Sequence, residues 1–343
     1  MGVPPPHTHT PISNSDINKA ALHTVQYCFP LHNSSCVKKE RTIAENILLH
    51  LFFFSVSSFT VFVNLLVIIS ISHFKQLHTP TNLLILSLAV SDLLVGIVVI
   101  PVEGIKVIES CWYLGETMCS VFHGIVFSVI FASLYNLVII AVDRYVAVCD
   151  PLLYISKITI GKTLTSIFLT WIFSFIYNLV ILYCNGQWYR SQAHKNCHGE
   201  CVLIISFTWG IIDLFVSFVA PCSVIICLYM NIFKVARIQV KVMNITTRIK
   251  MSESKATKTL GVVLSVFLVG WITYYVGSLS EDYLAHSDVI IAFLSWVVYI
   301  NSFLNPLIYA LFYPWFKTAV RHILTLHILA PSSSLINLFP ENC

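Results

Sequence analysis

Apolar residues gather into seven runs separated by short polar stretches, at positions 46–72, 81–106, 117–148, 164–184, 203–235, 259–280 and 288–312. Each reaches the ~20 residues that a helix needs to cross a ~30 Å hydrocarbon core. Backbone groups in lipid must be satisfied within the segment, so each run is predicted to be a helix. The third run has Cys119 at its head and Asp143-Arg144-Tyr145 at its foot. At 1.5 Å per residue the distance from Cys119 to Arg144 is about 37 Å, enough to join the two sides of a membrane. The reading is an all-α membrane protein: an outer segment over 1–45, a seven-helix bundle over 46–312, and a cytoplasmic end over 313–343 with a short amphipathic eighth helix.

Composition agrees with this pattern. Of the 343 residues 57% are hydrophobic and 10% charged, against about 25% charged in soluble domains. Basic residues fix the orientation. Thirteen of the twenty Lys and Arg fall after the odd-numbered runs or in the C-terminal tail, and seven fall on the other side. The N-terminus is therefore expected outside, and the net charge of +4 reports topology rather than nucleic-acid binding. Residues 1–45 show no signal-peptide core or small-residue cleavage site, so the first span is expected to direct insertion itself. Asn33-Ser34-Ser35 is an outer glycosylation sequon, whereas Asn244-Ile245-Thr246 falls in a cytoplasmic loop and is discounted. Of eleven cysteines, Cys28, Cys36, Cys111, Cys119, Cys197 and Cys201 border the outer side, where disulfides persist. Spacing alone does not give their pairing.

Enzyme and transporter signatures are weak. The sequence has no Walker loop, His-Glu-x-x-His, CxxC or Gly-x-Ser-x-Gly, and its thirteen histidines are dispersed. No internal repeat of the transporter kind is visible.

Landmarks fall in order along the spans: Asn64 in the first, Leu88-Ala89-Val90-Ser91-Asp92 in the second, and Cys119 with Asp143-Arg144-Tyr145 in the third. Trp171 lies in the fourth, Pro221 in the fifth, Phe267 and Trp271 in the sixth, and Asn305-Pro306-Leu307-Ile308-Tyr309 in the seventh. Together they resemble the rhodopsin-like G-protein-coupled receptors. The stretch from Asn301 to Phe316, the Lys255–Gly261 segment, the pair Cys197 and Cys201, and the pattern Cys28-Phe29-Pro30…Cys36 resemble, more narrowly, the trace-amine-associated receptors.

The resemblance implies a Cys119–Cys201 bridge and a second from the N-terminus to Cys197, with Cys36 the better-placed partner and Cys28 the alternative. It implies an allosteric sodium pocket at Asp92 with Ser133, Asn301, Ser302 and Asn305; a protonated Asp in a polar core would read the same. Asp143 and Arg144, adjacent at the cytoplasmic boundary, can hold an inactive state by salt bridging and release Arg144 when helices separate, with Glu253 a candidate second partner; solvated interfacial charges would read the same. With Tyr145 and Tyr309, the resemblance implies a G-protein switch there. Otherwise it implies no cofactor.

Buried acids mark the ligand site, because a charge in a membrane span is costly and usually functional. Asp213 lies eight residues before Pro221 in the outer half of the fifth span. An ammonium there would gain a charge-assisted hydrogen bond. Amine receptors of this family usually hold an Asp seven residues after the third-span cysteine; here that position is Val126. Some fish members place the acid on the fifth span instead, so the resemblance implies a relocated counter-ion. Phe122 and Phe127 leave the third-span wall apolar. Trp271, Tyr274, Tyr275, Trp296 and Tyr299 are the expected aromatic lining, able to face a cation. Glu103 is a candidate second anion at the mouth, with Lys106 as its expected partner one turn on: a free Glu103 suits a diamine, a paired one a monoamine. Thr273 stands where the family usually has proline, which puts the sixth-span kink in question, with Gly270 a substitute point of bending.

The expectation is a multi-pass plasma-membrane receptor for a small, volatile amine. It would signal through a stimulatory heterotrimeric G protein and cyclic AMP in the cilia of olfactory sensory neurons. Basic residues about the third cytoplasmic loop suit contact with lipid and G protein. The alternative is a receptor of the same class for a non-amine ligand, with Asp213 structural.

Overall fold

A computed structural model describes residues 25–184, 197–201 and 206–242 (side chains to 235), then 265, 269, 271–272, 296, 299–307 and 314–338. Five long apolar helices stand among them: Ile43–His73, Pro80–Glu109, Gly115–Cys149, Ile160–Cys184 and Phe207–Val235. They extend the predicted first five spans by a few residues at most ends. The fifth helix starts at Phe207, four residues inside the predicted run, which puts Asp213 roughly 9 Å below its outer end. Residues 299–307 of the seventh span are helical, and no strand occurs among the described residues.

Local chemistry sets the helix ends. Thr42 and Glu45 form a reciprocal cap at the start of the first span, with Glu45 N donating to Thr42 Oγ1 at 3.2 Å and Thr42 N to Glu45 Oε2 at 3.0 Å. Thr79 caps the second span with Pro80 in its first turn. The second and fifth spans each widen into a π turn, at Val95–Val99 and Phe215–Val219, just before Pro101 and Pro221. Proline has no amide hydrogen, so the carbonyl four residues earlier loses its partner and the helix loosens there. A neighbouring span bonds a carbonyl in each turn: Ser57 Oγ donates to Gly96 O at 2.9 Å, and Tyr135 Oη to Val216 O at 3.2 Å.

The second and third spans are central, each 61% buried over its most apolar window, whereas the first and fourth are 33% and 28% buried. The outward faces of the latter carry exposed Phe52, Phe54, Phe168 and Phe175, which suit contact with lipid. Polar bonds tie the spans together. Asn64 Nδ2 donates to Ser302 O at 2.9 Å, joining first to seventh, and Trp171 Nε1 to Ser87 Oγ at 3.1 Å, joining fourth to second. At the cytoplasmic end the helix Pro314–Leu324 turns Trp315, Phe316 and Ala319 into the core, the amphipathic element expected there. The chain beyond it returns to the first cytoplasmic loop, where Leu338 N donates to Gln76 Oε1 at 3.1 Å and His73 meets Ser333 Oγ at 2.9 Å.

Three disulfides close the outer end: Cys28–Cys111, Cys36–Cys197 and Cys119–Cys201. The alternative pairing of Cys28 with Cys197 is excluded, because Cys28 is joined to Cys111. The bridges link the segments 28–36, 111–119 and 197–201 end to end into one closed covalent ring. Backbone bonds lace it: Cys36 N to His198 O at 2.9 Å and Trp112 N to Gly199 O at 2.7 Å. Gly199 has φ of 104°, and a Cβ there would come within 3.0 Å of the Cys28 Cβ, so glycine is required on both counts. Asn33 sits on the exposed tip of the 28–36 segment. Lys38 Nζ reaches Glu109 at 2.6 Å; this hydrogen bond is the main cause holding its pKa above the ordinary lysine value.

Candidate functional site

The outer half of the third span packs against the second and seventh spans. Val126 is 5% exposed and packs in a cluster with Val95, Val99, Phe122, Val129 and Tyr299, against which Trp296 also rests. The third span carries no acid between Glu116 and Asp143. Trp112 and Phe122 cover the cluster from above, their ring centroids 6.0 Å apart, and Trp296 and Tyr299 meet edge to face at 5.6 Å. Phe127 points differently, stacking on His123 at 6.3 Å. At the mouth, Glu103 does not stand alone: Lys106 Nζ lies 3.0 Å from its Oε1.

Asp213 is set in a second aromatic layer between the third, fourth and fifth spans. Its Oδ1 accepts from Ser217 Oγ at 2.7 Å and from Tyr177 Oη at 3.2 Å. Tyr177 stacks on Phe131 at 4.8 Å, and Phe131 on Tyr135 at 4.5 Å. Two hydroxyl donors orient the carboxylate, and a carboxylate with about four lone-pair sites can accept an ammonium beside them. Ser217 could have been found from its place one turn after Asp213. Tyr177 lies on another span and carries no signal in the sequence.

Deeper in the bundle Asp92 is fully buried. Its Oδ2 accepts from Asn305 Nδ2 at 2.8 Å, its Oδ1 from Ser133 Oγ at 3.4 Å, and the Ser302 side chain also bonds it. Among the described residues Asn301 Oδ1 and Asn305 Oδ1 are buried without a donor, and Ser133, Asn301, Ser302, Trp271 and Tyr299 share one cleft. A carboxylate, hydroxyls and orphaned amide oxygens are the donor set that a hard cation takes. Asn136, fully buried with neither amide atom bonded, is a further polar residue of the same span one turn from Ser133, and the sequence reading did not single it out.

At the cytoplasmic end Asp143 is 4% exposed. Arg144 Nη2 and Nε bond its Oδ2 at 2.5 and 2.9 Å. Two hydroxyls complete the network: Thr81 Oγ1 donates to Asp143 Oδ2 at 2.8 Å and Tyr154 Oη to its Oδ1 at 3.0 Å. Arg144 also donates to Thr81 Oγ1. Tyr154 is presented by a short helix, Pro151–Lys157, whose cap is Asp150 accepting from Leu153 N at 3.0 Å. Tyr145 packs at the edge of the core. Glu253, Tyr274, Tyr275, Tyr309, Gly270 and Thr273 lie outside the described residues.

Comparison with known proteins now bears on these sites. Residues 63–309 match the family model described as "7 transmembrane receptor (rhodopsin family)". Among curated proteins, trace amine-associated receptor 13c of Danio rerio is 38% identical, covering 94% of this chain and 99% of the relative. The chain belongs to the trace amine-associated receptors of the rhodopsin family. Human trace amine-associated receptor 6 is 39% identical over 95% of the chain and 99% of its own length. Rat trace amine-associated receptor 4 is 36% identical, with 92% and 96% covered. The protein is therefore a multi-pass membrane receptor of an amine-sensing, G-protein-coupled class, and its relatives are receptors rather than enzymes.

Proposed function

We propose that this receptor binds a small amine through Asp213 and signals from the plasma membrane through a stimulatory G protein and cyclic AMP. The observation that carries the reading is the pairing of an apolar third-span wall at Val126 with a hydroxyl-oriented carboxylate at Asp213. The ligand's ammonium sits at Asp213 and its hydrocarbon part lies against the aromatic residues. Binding favours the conformation whose cytoplasmic face is open, and Asp143 and Arg144 separate as it opens. The names of the relatives support the amine, and expression in olfactory neurons is the setting their family suggests. The test is a cyclic-AMP dose–response to a panel of primary to tertiary amines. Asp213→Asn is expected to lower potency at least a hundredfold at unchanged surface level. An unaltered response would leave Asp213 structural and favour a non-amine ligand.

The Asp92 cleft is read as a sodium site that favours the inactive state, with Ser133, Asn301, Ser302 and Asn305 as the other ligands. Replacing N-methylglucamine by sodium is expected to reduce amine potency several-fold in the native receptor and to have no effect on Asp92→Asn. Equal sodium sensitivity in both would exclude the site.

A further inference from the structure

We infer that Lys106 is the residue that restricts this receptor to ligands with one ammonium group. The inference rests on the amine reading above and concerns the packing of the second span against the third. Lys106 and Glu103 are one turn apart near the outer end of the second span, with Nζ and Oε1 3.0 Å apart and side chains only 20% and 19% exposed. The same Nζ lies 5.5 Å from the centroid of the Phe122 ring, and Phe122 is 5% exposed in the cluster that contains Val126.

A carboxylate on one side and an aromatic face on the other are what a protein offers an alkylammonium ligand. Here the chain fills that position with its own ammonium, one helical turn above Val126. Two consequences follow. Glu103 is already neutralised and is not a second anchor. A second cationic end on a ligand would also meet the fixed charge of Lys106 in a partly desolvated place, where like charges repel far more than in water. A monoamine anchored at Asp213 presents only its hydrocarbon end to this side, which Phe122, Val126 and Trp296 suit.

The experiment compares n-alkylamines with α,ω-diaminoalkanes of four to ten carbons in the cyclic-AMP assay. Lys106→Met keeps an unbranched stem over Phe122 and removes the charge. It is expected to leave monoamine potency within about threefold and to raise diamine potency at least tenfold at one preferred length. Adding Glu103→Gln is expected to abolish that gain. The exchange Glu103→Lys with Lys106→Glu keeps the bridge and is expected to behave as the native receptor, so the inference stays testable if Lys106→Met does not reach the surface. No diamine gain in Lys106→Met, or an equal gain with Glu103→Gln present, overturns the inference while leaving Asp213 as the anchor. A native receptor that responds to diamines as well as to monoamines overturns it too. If Asp213→Asn responds to monoamines like the native receptor, the amine reading itself fails.

Discussion

The two ends of the third span are held by different kinds of bond. At the outer end Cys119 belongs to a covalent ring that also takes in the N-terminal segment, the end of the second span and the loop before the fifth. At the inner end Asp143 and Arg144 are held by an ion pair and by hydroxyls from Thr81 and Tyr154. Native disulfides contribute about 2–5 kcal/mol each and do not open under oxidising conditions. Hydrogen bonds to charged groups contribute about 1.5–3 kcal/mol and open reversibly. The end that shapes a chamber is fixed, and the end that must change shape is closed by bonds weak enough for ligand binding to overcome.

Two perturbations sharpen the contrast. The larger effect is expected from opening the ring. Cys28→Ser with Cys111→Ser removes one bridge without leaving an unpaired thiol. It should lower the stability of the solubilised receptor by about 2–4 kcal/mol and cut surface delivery by more than half. Native thermal unfolding and native surface labelling in the double variant would show that the Cys28–Cys111 bridge is dispensable. The smaller effect is expected at the inner end and should appear as signalling rather than as unfolding. Asp143→Asn keeps the shape but removes the charge that holds Arg144. Ligand-independent cyclic AMP is expected to rise several-fold, and Tyr154→Phe, which deletes a single hydrogen bond, should give a smaller rise of the same sign. Basal signalling at the native level in both would mean that this network does not hold the resting state.

The sequence carried the architecture well because lipid leaves few choices. A run of apolar residues long enough to cross must be a helix, and all five described spans lie where hydropathy put them. Within a span it carried the pairing of Lys106 with Glu103 one turn before it, and Ser217, one helical turn after Asp213, was within its reach though not singled out. Contacts between spans were harder to read. Tyr177, Thr81 and Tyr154 reach Asp213 and Asp143 from other elements, and nothing in their own neighbourhoods marks them. The Cys28–Cys111 bridge was hidden for a combinatorial reason, since six outer cysteines allow fifteen pairings and spacing does not choose among them.

The ring also has a history in time. During synthesis Cys28 and Cys36 are the first of its cysteines to reach an oxidising compartment, eight positions apart, yet their partners lie 83 and 161 residues further along. At about 5–20 residues per second, Cys36 waits roughly 8–30 s for Cys197. Cys119 waits for the same short segment, which brings Cys201. Any bond made in the meantime between the two early thiols has to be undone by thiol–disulfide exchange before the ring can close. The loop before the fifth span is thus the last component to arrive and the one that completes the outer end, so successful production of this receptor depends on a host that both oxidises thiols and reshuffles them.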